Sequence, residues 1–444
     1  MSAKAKRKAA VLAVTVMTVA MLSGMIGCTP KAEIQYYTVD KDSLSIGIIS
    51  DTQLTANYDN YAKNLEKSLE YFKQRDTDVL IFAGDYADLG TKEAAERFRK
   101  VYDDVYGDDK PINVAVMGNH DYWLDAFFKC WEIPFKSKMR GRFESIFDDE
   151  YISVKVVKGY TFFALSPDDG SMEGKYNIDL AKKVLDEAVA RDPEKPIFVI
   201  THQNPKGTIR GSSAWGNAEL NELFKNYPNV VSISGHSHYS MLDETNVMQT
   251  EYTSIGTQSL SYTDFDPGYE PVGITADIES NPMLMYMTVS GNTVTAERIF
   301  LNSGTEYSPE TRYEFSFPYD PDTAPYTMEG RKERAGAPHF VNFFGGITEY
   351  KGEKCIEVTA AEYDGLVTEY RMKFIADGQP VKFTREDKSV DTLKYFSDFF
   401  QGYNAPVLRF AIPSDLPSGK YTVEIYALES FGNASETVSF EITV

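Results

Sequence analysis

Histidine is scarce in this chain of 444 residues, which contains five. Four of them, His120, His202, His236 and His238, come directly after short apolar runs of strand length. The fifth, His339, stands alone and is interpreted as an ordinary surface residue. Because α/β folds build their sites at the carboxyl ends of strands, the placement of the four predicts one shared site.

Carboxylate and amide side chains occur at the same strand ends. Five short blocks result, in this order: Ser50-Asp51-Thr52-Gln53, Gly84-Asp85-Tyr86-Ala87-Asp88, Gly118-Asn119-His120-Asp121, Thr201-His202 and Gly235-His236-Ser237-His238. A carboxylate between two cations can bridge them at a separation of about 3.5–4 Å. Mixed imidazole, amide and carboxylate ligands suit Mn, Fe or Zn better than Ca or Mg. The blocks therefore predict two metal ions, and the alternative is a set of capping aspartates and satisfied core histidines.

The stretches between the blocks alternate apolar runs with amphipathic segments, which is typical of a layered α/β fold. Strands are predicted at residues 44–50, 78–83, 112–117, 196–201 and 230–234. Helices are predicted at residues 58–75, 91–106, 177–191 and 217–227. A period of two then predicts antiparallel strands at residues 272–278, 284–289 and 293–300.

Together, in this order across residues 46–240, the five blocks resemble the calcineurin-like metallophosphoesterases, in particular their cyclic-nucleotide phosphodiesterase-type branch. The resemblance implies a four-layer αββα sandwich, which we place at residues 44–302. It also implies an enzyme, a phosphodiesterase or phosphatase that hydrolyses phosphoric esters. Its nucleophile would be a hydroxide that bridges two metal ions.

The resemblance assigns a role to each block residue. Asp51 and His238 would bind the first metal, and Asp85 would bridge both metals. His120 would be the general acid that protonates the leaving oxygen, held in orientation by Asp121. The second metal would have three ligands: Asn119, His202 and His236.

Gln53 departs from the family pattern, which usually has Asp-x-His in the first block. A neutral amide oxygen is a weaker ligand than an imidazole, so we expect a weaker first metal site. The alternative is that Gln53 points away from the metals and bonds substrate or water. Purple acid phosphatases also lack this histidine, but they place a metal-binding tyrosine where this chain has Asp88. An Fe(III)–tyrosinate site is therefore not expected.

Basic residues follow two of the blocks, and they are the predicted substrate-binding group: Lys138, Arg140, Arg142 and Arg210. Such residues near the site would recognise an extra phosphate or an anionic head group. The alternative is an ordinary solvated loop. The residues leave open whether the substrate is a nucleotide, a phospholipid head group, a sugar phosphate or a phosphoprotein.

The amino-terminal residues predict a lipoprotein signal peptide at 1–27, with a basic stub, an apolar stretch and small residues before Cys28. Met25-Ile26-Gly27-Cys28 resembles a bacterial lipobox, which implies acylation of Cys28 and an extracytoplasmic, lipid-anchored protein. The alternative is an uncleaved amino-terminal helix. Removal of residues 1–27 takes away four basic and no acidic residues, so the net charge moves from −21 to −25. That charge argues against nucleic acid as a general partner.

The other segments are a tether at residues 28–43, a linker or packed arm at 303–338, and a small β-sandwich at 339–444, which resembles fibronectin type III or immunoglobulin-like domains. Cys130 and Cys355 are interpreted as buried thiols. An aromatic group in the sandwich could bind a surface glycan or protein, or could be core: Tyr395, Phe396, Phe399, Phe400 and Tyr403. A rival to the enzyme is a surface-binding lipoprotein whose metal site is degenerate at Gln53.

Overall fold

The computed structural model describes residues 33–123, 133–272 and 281–444. The predicted signal peptide, Cys28, Cys130 and most of the strand predicted at 272–278 lie outside the described residues. Within the described ranges, no helix is both long enough and apolar enough to cross a bilayer.

The first part of the chain alternates strands and helices. The strands are β1 (Ile34–Tyr37), β2 (Leu44–Ile49), β3 (Val79–Ala83), β4 (Ile112–Val116), β5 (Ile152–Val157), β6 (Tyr160–Leu165), β7 (Ile197–Ile200), β8 (Val230–Ser234), β9 (Val247–Gln249), β10 (Thr253–Gly256), β11 (Tyr269–Pro271), β12 (Met283–Ser290), β13 (Thr293–Phe300), β14 (Thr305–Glu306) and β15 (Tyr313–Ser316). The helices are α1 (Asp59–Gln74), α2 (Lys92–Tyr106), α3 (Ile133–Phe147), α4 (Ile178–Arg191), α5 (Ser212–Trp215), α6 (Ala218–Phe224) and α7 (Met328–Arg334).

Two mixed sheets form from these strands. The first sheet has the order β1-β5-β6-β7-β8-β10-β9, and the second has the order β14-β13-β12-β2-β3-β4 with β15 paired to β13. In the second sheet β2, β3 and β4 are parallel, so Ile48 lies opposite Ile81. Their carboxyl ends therefore meet at one edge, where the first three chemical blocks begin.

The sheets pack face to face, and helices cover both outer faces. Apolar side chains of β2, β3 and β4 meet those of β6, β7 and β8 in a shared core. The outer face of the second sheet is covered by α1, α2 and α3, and that of the first sheet by α4 and α6. This four-layer arrangement confirms the predicted αββα sandwich.

Local sequence explains where the helices begin and end. The Thr91 hydroxyl accepts a hydrogen bond from the Ala94 amide at 3.1 Å and caps the start of α2. The helix ends at Gly107, whose φ of +58° is readily adopted by glycine. The face of α2 that carries Phe98 and Tyr102 is buried against the second sheet. Capping and amphipathic spacing are local signals, and the predicted helix bounds agree with the structure to within a few residues.

Several elements were missed, and one segment was assigned wrongly. The hairpin of β5 and β6 and the helix α3 were not predicted. Within the segment predicted as a tether, Ile34–Tyr37 instead forms β1 and pairs in parallel with β5. Residues 303–338 include β15, and Tyr313, Phe315 and Phe317 are buried in the core between the sheets. Of the two alternatives for this segment, the structure has the packed arm.

The remaining strands form a separate two-sheet sandwich. They are β16 (Gly345–Tyr350), β17 (Glu353–Thr359), β18 (Val367–Ala376), β19 (Gln379–Pro380), β20 (Phe383–Arg385), β21 (Lys388–Val390), β22 (Leu393–Phe396), β23 (Val407–Ala411), β24 (Lys420–Glu429) and β25 (Val438–Thr443). One sheet has the order β11-β22-β18-β24-β25 and the other β16-β17-β23. Their inner faces share one core that also buries Cys355 at its edge. The small all-β domain is therefore confirmed.

The sandwich packs firmly against the α/β part. Strand β11 pairs in parallel with β22, and the ring of Phe265 stacks on Phe396 at 3.3 Å between centroids. Phe396, Phe399 and Phe400 are buried in the core between the two mixed sheets, and Tyr395 is buried in the sandwich. The aromatic binding platform is therefore wrong for these four rings, because they have no free face; Tyr403 is exposed.

An ion-pair cluster joins the two parts at this contact. Glu369 of β18 accepts hydrogen bonds from Arg210 at 2.7 Å and from the Tyr269 hydroxyl at 2.9 Å. We expect Glu369→Ala to lower the free energy of unfolding by about 2 kcal/mol, because Arg210 and the Tyr269 hydroxyl both lose the buried carboxylate that they share, and only Arg210 keeps another partner, Asp266. Urea unfolding would measure the loss. Glu349→Ala, at an exposed position of the same sandwich, is the matched control with an expected change below about 0.5 kcal/mol. Equal changes in the two variants would contradict a stabilising role for the cluster.

Candidate metal centre

The first two chemical blocks are joined by their backbones. The Asp51 amide donates to the Gly84 carbonyl at 3.0 Å, and the Gln53 amide donates to the Asp85 carbonyl at 3.0 Å. The loops after β2 and β3 therefore run side by side beyond the edge of the second sheet. The loops after β4, β7 and β8 reach the same place, so all five blocks converge.

Several ligand candidates have a left-handed backbone. Asp51, Gln53, Asp85, His236 and His238 have φ between +50° and +70°. Residues other than glycine rarely adopt this conformation, and such residues cluster at functional sites where the surrounding structure enforces them. The turns aim neighbouring side chains inward at some cost in backbone energy.

Glycine is required where two blocks approach most closely. A Cβ at Gly118 would lie 2.0 Å from a carboxylate oxygen of Asp85, and one at Gly84 would lie 2.3 Å from Nδ1 of His202. Neither neighbour can move without displacing a ligand candidate. The glycines therefore allow the blocks to meet.

One group of side chains matches the predicted first metal site. Ligand atoms of Asp51, Asp85 and His238 all lie within 4.8 Å of one another, and all three residues are buried. His238 Nε2 is 3.1 Å from Asp51 Oδ1. The neighbouring imidazoles outweigh the effect of burial and lower the pKa of Asp51, so this carboxylate is ionised.

A second group shares Asp85 with the first. His202 Nε2 lies 3.2 Å from Asp85 Oδ2 and 3.0 Å from Asn119 Oδ1, and the rings of His202 and His236 are 4.9 Å apart. His202 Nδ1 is 2.9 Å from the Ala83 carbonyl oxygen, which can only accept, so Nδ1 carries a proton there. A backbone carbonyl that fixes the ring in this way is a usual partner of a metal-ligating histidine.

His236 provides a direct test of whether a metal fits. Its Nε2 atom is buried and has no hydrogen-bond partner among the residues that the structure describes. Burial, reinforced by the charge of His202, lowers the pKa of His236 to about 3, so the ring is neutral and has a free lone pair. Such an atom is costly unless it binds something. Neutral imidazoles, an amide oxygen and shared carboxylates fit the predicted pair of transition-metal ions.

Gln53 faces the centre. Its side-chain amide donates to Asp85 Oδ2 at 3.2 Å, and the residue is buried. The alternative in which Gln53 points away from the metal ligands is therefore not what the structure shows. Gln53 contacts the carboxylate that would bridge the metals.

His120 lies at the edge of the centre with Nε2 facing inward, 4.0 Å from Asp85 Oδ2. Its Nδ1 is 2.9 Å from the backbone carbonyl oxygen of Asp88, and its ring stacks on Trp123 at 3.6 Å between centroids. Burial lowers the pKa of His120, but Asp85 and the hydrogen bonds to Asp88 outweigh it and raise the pKa to about 9. An imidazolium here is the protonation state that a general acid needs.

Comparison with known proteins agrees with this geometry. Residues 44–240 match the family model described as calcineurin-like phosphoesterase. Those residues form a calcineurin-like phosphoesterase domain. The predicted phosphoesterase domain and the predicted class of enzyme, a phosphoester hydrolase, are confirmed, whereas the cyclic-nucleotide branch stays a prediction. No curated protein matches the sequence.

Three solved structures are similar to part of this chain at low identity. A dimetal phosphatase from Danio rerio is 10% identical with a TM-score of 0.43, over 62% of this chain and 100% of that one. The GAP50 anchor in the inner membrane complex of Plasmodium is 14% identical with a TM-score of 0.41, over 62% and 89%. A purple acid phosphatase from yellow lupin (Lupinus luteus) seeds is 13% identical with a TM-score of 0.44, over 62% and 54%.

The Asp121 carboxylate has other partners than His120, the residue it was predicted to orient. Its two carboxylate oxygens accept hydrogen bonds from the amides of Ala87 and Gly118, at 3.1 and 2.8 Å. The carboxylate is occupied by the backbone of two ligand loops, so the direct orientation of His120 by Asp121 is wrong. The Asp88 carbonyl takes that role. The Asp88 carbonyl could not be predicted from residue types, because every residue has a backbone carbonyl. The contact of Trp123 could have been predicted, since Trp123 stands three residues after His120 and a turn of helix brings such residues together.

The four predicted substrate-binding residues are not grouped at the candidate metal centre. Arg140 pairs with Asp168 at 3.1 Å and lies over the ring of Tyr151, and Arg142 donates to the Gly90 carbonyl at 2.6 Å. Arg210 pairs with Asp266 and Glu369 at the sandwich contact. Lys138 lines a surface groove between α2 and α3. The substrate role of the three arginines is not supported, because carboxylates, a carbonyl and an aromatic ring already satisfy them.

Gln53 leads to a test of how tightly the first site binds its metal. We expect metal-free protein titrated with Mn²⁺ to show a weaker first site, and Gln53→His to raise that affinity by about 10–100-fold, because imidazole is the better ligand. Isothermal titration calorimetry measures both constants. Gln53→Asn, which keeps an amide but shortens the side chain, is the control and should not tighten binding. Identical constants in the wild type and Gln53→His would show that Gln53 does not stand in for a metal ligand.

Proposed function

We propose that this protein hydrolyses phosphoric esters, as a phosphodiesterase or phosphatase, at a dinuclear centre of Mn, Fe or Zn. The observation that supports it most is that the ligand groups of both proposed metal sites converge on Asp85. Beside them, His120 faces the centre but is not one of the ligands. The first metal would be held by Asp51, Asp85 and His238, with Gln53 beside them. The second would be held by Asp85 and three other residues: Asn119, His202 and His236.

Each side chain has a task in the reaction. The two cations, when bound, would polarise the phosphoryl group and lower the pKa of a water molecule so that it can attack at neutral pH. His120 then gives the proton on Nε2 to the leaving oxygen. The Asp88 carbonyl accepts a hydrogen bond from Nδ1–H, so the proton that His120 transfers is the one on Nε2, and Trp123 fixes the plane of the ring. Asp121 keeps the loops of Asp85 and Asn119 together.

The rival function is a binding protein with a degenerate site. Gln53 is the observation in its favour, but the position of His120 favours the enzyme, because a binding module needs no general acid. Turnover of bis(p-nitrophenyl) phosphate by Mn²⁺-loaded protein separates the two functions. A protein that binds Mn²⁺ and turns over no ester would support the rival.

The position of His120 leads to the test of catalysis. His120→Asn keeps size and polarity but removes the proton donor, so we expect turnover to fall by about 10²–10⁴-fold while bound metal is unchanged. The loss should be smaller for esters with activated leaving groups, which need no proton. Steady-state rates over a series of aryl esters measure this dependence. His339→Asn, far along the chain in the sandwich, is the control, and an equal loss for good and poor leaving groups would contradict the role.

We also propose that the protein acts outside the cytoplasm, held on a membrane by acylated Cys28. The basic stub, the apolar stretch and the lipobox-like residues before Cys28 support this address. Two or more acyl chains are needed for stable anchoring.

Cys28 can be tested separately from the catalytic centre. Cys28→Ala should prevent acylation and move the protein from the membrane fraction to the soluble fraction, or leave an uncleaved precursor. Mass analysis of the amino-terminal peptide and fractionation measure the outcome. Cys355→Ala is the matched control. Unchanged membrane association in Cys28→Ala would contradict lipid anchoring.

A further inference from the structure

Apolar side chains flank the proposed metal centre, and we call Leu89, Trp123, Met172 and Tyr262 the apolar rim. Trp123 stacks on His120, and Leu89 follows the residue whose carbonyl bonds His120. Met172 Sδ lies 3.8 Å from the amide nitrogen of Asn119. Leu89 and Met172 are 39% and 44% exposed, so both offer apolar surface to a ligand beside the centre.

Tyr262 lies beside the proposed first metal site. Its ring centroid is 4.4 Å from that of His238, and the ring is half-buried. The next loop residues are fixed there, because the Asp264 amide donates to the His238 carbonyl at 3.2 Å. Within the described residues no hydrogen bond of the Tyr262 hydroxyl is seen, so its ring packs on His238 while its polar end has no partner there.

Trp123 is held rigidly on the His120 side. Its indole nitrogen donates to the Gly170 carbonyl at 3.1 Å. This bond fixes the ring against the loop that also carries Met172. Rigid aromatic rings provide contact area at a low cost in side-chain entropy. The two ends of the rim thus lie beside the proposed proton donor and beside a ligand of the first metal.

The charges around the centre disfavour an additional anionic group on the substrate. The three predicted arginines are satisfied elsewhere, as described above. Asp88 is partly exposed next to His120, and Asp264 is exposed next to Tyr262. Among the residues that the structure describes, a substrate group that reaches past the phosphate would therefore meet the apolar rim and these two carboxylates.

We propose that the apolar rim binds the alcohol group of the phosphoester substrate and selects esters in which that group is planar aromatic or otherwise apolar. The inference rests on the proposed hydrolase function and specifies its substrate class. Aromatic rings in contact add binding energy beyond their buried area, which makes the preference measurable.

The test compares two stable phosphonates of similar charge, phenylphosphonate and methylphosphonate, by calorimetry with Mn²⁺-loaded protein. We expect the wild type to bind the phenyl compound about 10-fold more tightly. In Trp123→Ala/Tyr262→Ala the ratio of the two affinities should fall close to one, because methylphosphonate has no ring that could lose contact with the rim. Trp123→Phe/Tyr262→Phe keeps both rings and should keep the preference. Phe344→Ala, at an exposed ring of the sandwich, is the control and should not change the ratio.

The proposal fails if the wild type binds both phosphonates equally, or if the preference survives loss of both rings. Met172→Ala, at an exposed position, repeats the test where the double alanine variant does not fold, and there the ratio should fall about threefold. Selective binding without turnover of bis(p-nitrophenyl) phosphate would keep the apolar rim and reject hydrolysis. Turnover of that ester with equal affinities for the two phosphonates would support hydrolysis and reject the apolar rim.

Discussion

The buried carboxylate of Asp85 is the interaction on which the other parts of the site depend. One oxygen accepts the His120 backbone amide at 3.0 Å, and the other lies 3.2 Å from both His202 and Gln53. Three of the five blocks therefore contact one residue. A buried carboxylate is expensive unless it is paired or bonded. Burial raises the pKa of Asp85, but the neighbouring imidazoles of His202 and His120 outweigh it and hold the pKa well below its usual value. Moving any of these three blocks would remove a contact to this charge, which helps to hold the ligand turns in place.

The loop after the last block is fixed by buried arginines from outside it. Arg298 of β13 donates to the Met241 carbonyl and to Glu244, at 3.2 and 2.7 Å. Arg331 of α7 donates to the carbonyls of Glu244 and Val247, both at 2.5 Å. These contacts explain why the segment after β13 packs as an arm, since it supplies a cation that the loop needs. Together with Arg210 at the sandwich contact, they make the geometry of His236 and His238 depend on distant parts of the chain.

The strands and helices that carry the site could be predicted because their signals are local. Each ligand candidate follows an apolar run, and helices such as α2 have both a cap and an amphipathic face. The mistakes have non-local causes. Ile34–Tyr37 forms a strand only because β5 provides an edge, and Asp121 contacts backbone amides of two loops that no spacing reveals. The arginines suggested substrate binding by proximity in sequence, but carboxylates brought by the fold, such as Glu369, determine what they contact.

The ligand set also links metal binding to stability. Asp51 and Asp85 are buried with ligand atoms within 4.8 Å of each other, and the charges that compensate them in the metal-free protein come from histidines. Those histidines must be neutral to ligate a metal, so a cation replaces protons as the compensating charge. Metal binding is then favoured by every residue that forces the carboxylates together, including the glycines that allow the loops to meet. The same strain that destabilises the ligand turns therefore preorganises the centre.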